Sequence, residues 1–302
     1  MPKILITGGN GFLGRNIVPL LLEAGFEITN LSLHPYENIA VKNIHFDAFK
    51  DEPLELLKDM DFDFVIHLAG YASPKLASDL DKTIELNVVL TGKLLKVASS
   101  FMSLKKFIFF SSATTYSDYT SRPLKEDPDQ KAHEDDNYAH SKIEAEKICK
   151  IYMSQGLPVK ILRITNCFGP NQNWQDKPNL IPQIMKQAIL EKRISILNGS
   201  HTRDFLYSKD LARIVRLCLE DKQNFDILNI ASGDLHEVGE IAEFIAKKLN
   251  VQVEDQKKEI NRSKDLTLDT SQFKKLFPGF MFTSVEKALK ETLDYYLSVI
   301  SK

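Results

Sequence analysis

Tyr138 and Lys142 stand four residues apart in "NYAHSK", which puts both on one face of any helix that carries them. A phenol beside an ammonium is an acid–base pair. The positive charge favours phenolate and lowers the tyrosine pKa from its usual value of about 10. Such a tyrosine can shuttle protons near neutrality. Tyr-x-x-x-Lys alone is common on amphipathic helices. What raises it here is "KKFIFFSSATTY", an apolar strand ending in hydroxyls. Ser112 can hydrogen-bond a substrate hydroxyl or carbonyl oxygen, and Ser111 can serve locally. Thr114, Thr115 and Tyr116 are equally well explained as structural residues.

A second group of residues suits a phosphate ligand. "TGGNGFLG" satisfies Gly9-x-Gly11-x-x-Gly14 and Thr7-Gly8-x-x-Gly11-x-x-Gly14 together. Gly8 and Gly9 can form the tight turn, Gly11 lets the backbone approach a pyrophosphate, and Gly14 permits close helix packing. The helix that begins at Phe12 and Leu13 offers unpaired N–H groups and a favourable dipole. At the end of the next strand, where an acid commonly holds the adenine ribose, the sequence has Ser32. Asn30, Ser32 and His34 can donate hydrogen bonds to a phosphate or to ribose oxygens. Residues 26–41 contain no Arg or Lys, and Arg15 is the nearest cation. The cofactor expected is NAD or NADP, with NADP favoured by Ser32.

The elements that must position these groups alternate. "KILIT", "FEITNL", "KNIHF", "FDFVIHLAG", "KKFIFFSS" and "PVKILRI" read as strands, separated by helical spans at 13–24, 79–101 and 138–154. This is the pattern of an α/β Rossmann-type doubly wound parallel sheet, with ligands at the C-terminal strand ends. Residues 1–165 are read as the NAD(P)-binding core. Residues 166–302 are mainly a smaller substrate-binding cap, interleaved with returning core segments, and turn-rich around "WQDKPN" and "NGSHTRD".

The 302 residues carry 39 Lys plus Arg against 41 acids, a net charge of −2 that gives no global field for nucleic acid. Cys149, Cys167 and Cys218 have no metal spacing, and their odd number favours a reducing compartment. His45, His133, His201 and His236 have no paired spacing with Cys or acids, so no metal site is expected. "MPKILITGG" enters a strand at once without the pattern of a signal peptide, and no apolar run approaches a membrane span. The expected location is the cytoplasm, with no membrane partner.

Taken together, these motifs resemble the extended short-chain dehydrogenase/reductase superfamily, the branch of NAD(P)-dependent nucleotide-sugar epimerases and dehydratases, over nearly the whole chain. The resemblance implies Ser112, Tyr138 and Lys142 as the catalytic set. It implies adenine contact by Asp47 in "HFDAF", and cofactor lining by Leu68 and Ala69 in "HLA" and by Asn87 in "ELN". In "ILRITNCFGPNQ" it places Asn166 near the substrate, with Arg163 structural or near the cofactor pocket. Asn179 in "NLIPQI" is expected to meet the sugar nucleotide. Arg203 in "TRDFLY" and Arg262 in "NRSKD" are expected to clamp the diphosphate, which suits the fork of a guanidinium. Asp204, Tyr207 and Asp210 are expected to shape the cap. Trp174 is explained equally by substrate contact and by loop anchoring. Relatives commonly form homodimers through two helices, here about 79–101 and 138–154.

The departures from the family pattern narrow the reaction. Ala113 and Thr114 stand where sugar-nucleotide 4,6-dehydratases carry an Asp-Glu pair, so dehydration lacks its acid and base. Epimerisation at sugar C4 through a 4-keto intermediate is read first. The alternative is NADPH-dependent reduction of a 4-keto-6-deoxy sugar nucleotide, toward which Ser32 leans. A non-catalytic dinucleotide-binding regulator is disfavoured by the intact Ser112, Tyr138, Lys142 set.

Overall fold

The computed structural model describes residues 1–50, 52–116, 123–126, 130–175, 178–220, 225–258 and 267–300. Strand β1 (Lys3–Thr7) buries its last four residues, as a parallel strand covered on both faces must. The loop after it leads into α1 (Phe12–Glu23), which turns Ile17, Val18 and Leu21 inward and stops before Gly25 at φ 83°. Strands β2 (Glu27–Ser32) and β3 (Val41–His45) follow. A short α2 (Pro53–Leu57), with proline in its first turn, precedes β4 (Phe64–His67). The strand expected to run to Gly70 ends at His67, and Gly70 itself lies at φ 145°.

The helical span expected over 79–101 is built in three pieces. The Asp79 side chain caps α3 (Leu80–Ile84), a π-helical turn occupies Glu85–Val89, and α4 (Leu90–Ala98) completes it. Strand β5 (Lys106–Ser112) runs into a 3-10 turn at Ala113–Tyr116. Helix α5 (Asn137–Ser154), capped by Asp136, then returns the chain to β6 (Val159–Ile164).

The second half comprises β7 (Asn166–Phe168), α6 (Leu180–Lys186), β8 (Arg193–Ile196), β9 (Thr202–Tyr207) and α7 (Ser208–Glu220). It continues through β10 (Ile227–Ile230), β11 (Leu235–Glu237), α8 (Val238–Leu249) and β12 (Gln252–Asp255). Two helices, α9 (Ser271–Leu276) and α10 (Val285–Ile300), close the described chain.

Seven parallel strands form the main sheet in the order β3-β2-β1-β4-β5-β6-β10. The order reverses between β1 and β4, which opens a crevice at the C-terminal strand ends. The chain leaves this unit after β6 and comes back to it. Leu211, Ile214, Val215 and Cys218 of α7 join Ile17, Val18 and Leu21 of α1 in one apolar core, and β10 adds the seventh strand. A second, smaller core gathers Met185, Ile194, Ile241, Ile245, Leu289 and Tyr296 around the sheets β11-β9-β7 and β12-β8.

Two buried charges fasten these layers. Arg163, with no exposed surface, donates to Glu146 at 2.9 and 2.6 Å and to the Tyr116 hydroxyl, with its guanidinium over the Tyr116 ring. Of the two roles open to Arg163 in the sequence, the structure shows the structural one, and Tyr116 is its packing partner. Asp204 accepts from Ser232 N, Ser232 Oγ, Gly233 N and Thr165 Oγ1, tying β9 to the ends of β6 and β10. Among the described residues, no helix is long and apolar enough to cross a membrane.

Candidate active site at the sheet's switch point

The loop between β1 and α1 is built for close approach. A Cβ on Gly14 would lie 2.2 Å from Gly9 O, so the helix rides directly on the loop. Gly8, at φ 70°, would meet Ala69 N at 2.9 Å. Gly11 caps α1 with no side-chain acceptor, which leaves the first helical N–H groups to an anion. These features fit a dinucleotide pyrophosphate.

Asn30 corrects one expectation. It is buried, its Oδ1 accepts from Gly9 N at 3.1 Å, and its Nδ2 donates to Asn43 Oδ1 at 3.0 Å. It therefore braces the glycine loop from beneath and is not a free donor to ribose. Ser32 sits half-buried at the end of β2, and His34 is exposed. Arg15 donates from Nε to Asn10 O at 3.0 Å, and its charge reaches the Tyr36 phenol. Lys50 and the Phe49 N–H hold the Asp47 carboxyl below the usual carboxylate range.

A single hydrogen-bonded chain leads from this loop to α5, the helix of Tyr138 and Lys142. Ala69 N donates to Thr7 Oγ1, and Thr7 Oγ1 lies 2.7 Å from His67 Nδ1. His67 Nε2 lies 3.0 Å from Thr91 Oγ1, which donates to Asn87 O at 2.8 Å. Because the Thr91 proton is committed to that carbonyl, Nε2 carries the imidazole proton and Nδ1 accepts from Thr7. Burial pushes the His67 pKa down to about 3, so the ring stays neutral. The Asn87 side chain binds both Tyr71 backbone groups and donates to Ser141 Oγ at 2.9 Å, and Ser141 donates to Tyr138 O at 2.8 Å. Asn87 is thus fully engaged by the protein.

Ser112, Tyr138 and Lys142 meet on the wall of a cavity of about 380 Å³. Thr114 N and Thr114 Oγ1 donate to Ser112 Oγ at 3.2 and 3.0 Å, filling both its lone pairs. The one Ser112 proton is left for the Tyr138 phenol, whose pKa Ser112 acts to lower. The expected lowering of the Tyr138 pKa does not appear. Burial pushes it up to about 12, and the Ser112 bond opposes that rise. Lys142 donates instead to Phe110 O at 2.9 Å, with its Nζ 5.9 Å from the centre of the Tyr138 ring. Burial brings Lys142 down to about 8. The i,i+4 spacing placed the two side chains together, but desolvation dominates both groups and outweighs the Ser112 interaction that lowers the tyrosine.

Phe12, Leu13 and Leu68 line the cofactor side of the same cavity, and Asn166, Asn179 and Arg203 line the cap side. Asn166 Nδ2 donates to Asp204 O at 3.1 Å, and Asn179 precedes α6. Arg262 lies outside the described residues. The cavity is not lined by Gly8, Gly11, Gly14, Ser32, Asp47, Ala69 or Asn87. None of the described residues lining it is a carboxylate. Trp174 packs against Tyr296 with ring centres 6.0 Å apart, which makes it a loop anchor.

Sequence reasoning left one contributor open and missed two. Thr114 orients Ser112, Tyr71–Pro74 form one wall, and Gln172 lines the cap side. Only Gln172 had a readable signal, the Gly169-Pro170-Asn171 turn before it.

Residues 4–231 match the family model described as the NAD dependent epimerase/dehydratase family. A UDP-N-acetyl-alpha-D-glucosaminuronate decarboxylase of Bacillus cytotoxicus is 28% identical, the alignment covering 98% of each chain. A UDP-N-acetylglucosamine 4-epimerase from Methanobrevibacter ruminantium, solved with UDP-N-acetylmuramic acid, superposes with a TM-score of 0.87 at 26% identity, over 99% of each chain. The UDP-glucuronic acid 4-epimerase of Bacillus cereus, solved with UDP-glucuronic acid and NAD, gives 0.86 at 24% identity, over 98% of this chain and 99% of the other, a likeness of fold.

Proposed function

The chain belongs to the NAD-dependent epimerase/dehydratase family of NAD(P)-dependent enzymes, and on that premise we propose that it inverts C4 of a nucleotide-diphosphate sugar through a transient 4-keto intermediate. One observation carries the choice of reaction. Ser112, Tyr138 and Lys142 share a cavity whose described lining holds no carboxylate. Such a wall can move one proton at one oxygen. It offers no acid and base for eliminating water, as the Ala113-Thr114 pair already indicates.

Gly8, Gly11, Gly14 and the start of α1 hold the pyrophosphate, with Ser32 and Asp47 on the adenosine. The nicotinamide supplies the acceptor and donor of hydride when bound. Tyr138 takes the proton of the C4 hydroxyl and later returns it. Ser112 keeps Tyr138 in the form that accepts this proton, and Lys142 supplies positive charge beside the nicotinamide. Arg203 and Arg262 take the diphosphate, while Asn166 and Asn179 hold the sugar nucleotide. The 4-epimerase of Methanobrevibacter ruminantium, matched over nearly its whole length, supports this reading.

A second reading follows from Ser32. No acid there repels a 2′-phosphate, and Arg15 stands close by at the start of α1, which favours NADPH and reduction of a 4-keto-6-deoxy sugar nucleotide. The cytoplasm is the location we favour, since none of Cys149, Cys167 and Cys218 forms a disulfide.

The test is incubation of purified protein and NAD with UDP-glucose, UDP-N-acetylglucosamine and UDP-glucuronate, products being resolved by NMR. The expected result is a C4 epimer without net NADH. Tyr138→Phe should bind substrate normally and lose about 100-fold or more in turnover. Carbon dioxide from the glucuronate, or NADPH consumption by a 4-keto-6-deoxy sugar nucleotide without epimer, would replace the epimerase reading.

A further inference from the structure

We propose that Lys75 is a positioning residue for the sugar nucleotide: it ties the start of α6 to the core and so holds the Asn179 amide over the cavity. The role rests on the sugar-nucleotide reading above, since Asn179 is the contact through which it acts. Lys75 follows directly on the cavity wall formed by Tyr71–Pro74. That wall is fixed at both ends. Asn87 accepts from Tyr71 N at 2.8 Å and donates to Tyr71 O at 3.3 Å, while Leu76 N and Ala77 N both donate to Ser73 O at 3.1 Å.

From this fixed point the Lys75 side chain crosses to the cap. Its Nζ donates to Pro178 O at 2.5 Å and to Gln183 Oε1 at 3.4 Å, so it grips the chain on either side of Asn179. An ammonium has three protons, which lets one group serve both acceptors. The ring of Pro178 fixes its φ, and a hold on its carbonyl sets the peptide plane that leads into Asn179.

Asn179 is the residue that this hold presents. An asparagine just before a helix ordinarily caps it, yet the Asn179 side chain makes no capping bond to α6. Its backbone carbonyl joins the helix instead, accepting from Gln183 N at 2.9 Å. The residue is exposed and lines the cavity that holds Ser112 and Tyr138, so a ligand entering from solvent can reach it. Its amide offers both a donor and an acceptor to that ligand. A ligand that must first order the turn binds more weakly than one that meets the turn already placed. Lys75 does that placing.

A double-mutant cycle in titration calorimetry on the NAD-loaded protein tests the role, with UDP-glucose, UDP-N-acetylglucosamine or UDP-glucuronate, whichever the wild type binds. Lys75→Met keeps an apolar stem without the ammonium and should weaken binding about 10-fold. Asn179→Ala should weaken it by at least that factor. Because Lys75 acts through Asn179, the two changes combined should bind within about 2-fold of Asn179→Ala alone. Turnover at saturation in Lys75→Met should fall less than affinity does, since Ser112, Tyr138 and Lys142 are unchanged. Losses that multiply in the double variant would show Lys75 acting elsewhere and overturn the proposal. So would a Lys75→Met protein that binds like the wild type, or one whose loss is confined to turnover. A wild type that binds none of the sugar nucleotides would overturn the functional reading, and this role with it.

Discussion

Ser112 has one proton and two lone pairs, and Thr114 occupies both lone pairs. The proton is thereby directed to Tyr138, where it stabilises phenolate against a burial effect that lifts the phenol to about 12. Removing that donor raises the tyrosine pKa further. In Ser112→Ala the Tyr138-dependent limb of the pH–rate profile should therefore move to higher pH, with turnover down by about 10- to 100-fold. Thr114→Val should shift it in the same direction by less. Rate profiles carried from pH 6 up to about 12 check both; an unmoved limb in Ser112→Ala would mean that the serine does not donate to Tyr138.

The interlocking of β1, β4 and α4 depends on a histidine that must stay neutral. His67 bridges Thr7 and Thr91, and its pKa falls from 6.5 unfolded to about 3 folded. Between those values the unfolded chain binds a proton that the folded one refuses, so stability falls as pH drops below 6.5. From pH 7 to pH 5 this group should cost the wild type about 2 kcal/mol. His67→Gln lacks that proton and should lose less over the same interval. Urea midpoints of both proteins at the two pH values measure the difference. The π-helical turn at Glu85–Val89 belongs to the same device, since it carries Asn87, the link to Tyr71 and Ser141.

At the scale of the molecule, the first half of the chain builds the cofactor side, and the second half supplies the cap while returning α7 and β10 to the main sheet and its core. Asp204 stands at that junction, where burial pushes its pKa up and four hydrogen bonds from Ser232, Gly233 and Thr165 hold it down. The outer faces of α3 and α5 leave Leu80, Ile84 and Ile151 exposed. Two copies are expected to pair through these helices and α4. Sedimentation at micromolar concentration should give a dimer, and Ile84→Glu combined with Ile151→Glu should give a folded monomer. A monomeric wild type would remove the expectation.

The sequence by itself determined what depends on neighbours along the chain. Strand–helix alternation, the glycine spacing at Gly8, Gly11 and Gly14, and the shared face of Tyr138 and Lys142 are local, and they delivered the doubly wound sheet and the family. Only the tertiary structure decided which partner each polar group takes and how much water it loses. Asn30 turned from ribose donor to brace of the glycine loop because β3 brings Asn43 beside it. Lys142 donates its hydrogen bond to Phe110 O and Tyr138 rises in pKa, because burial is a property of the packed core and not of residue spacing.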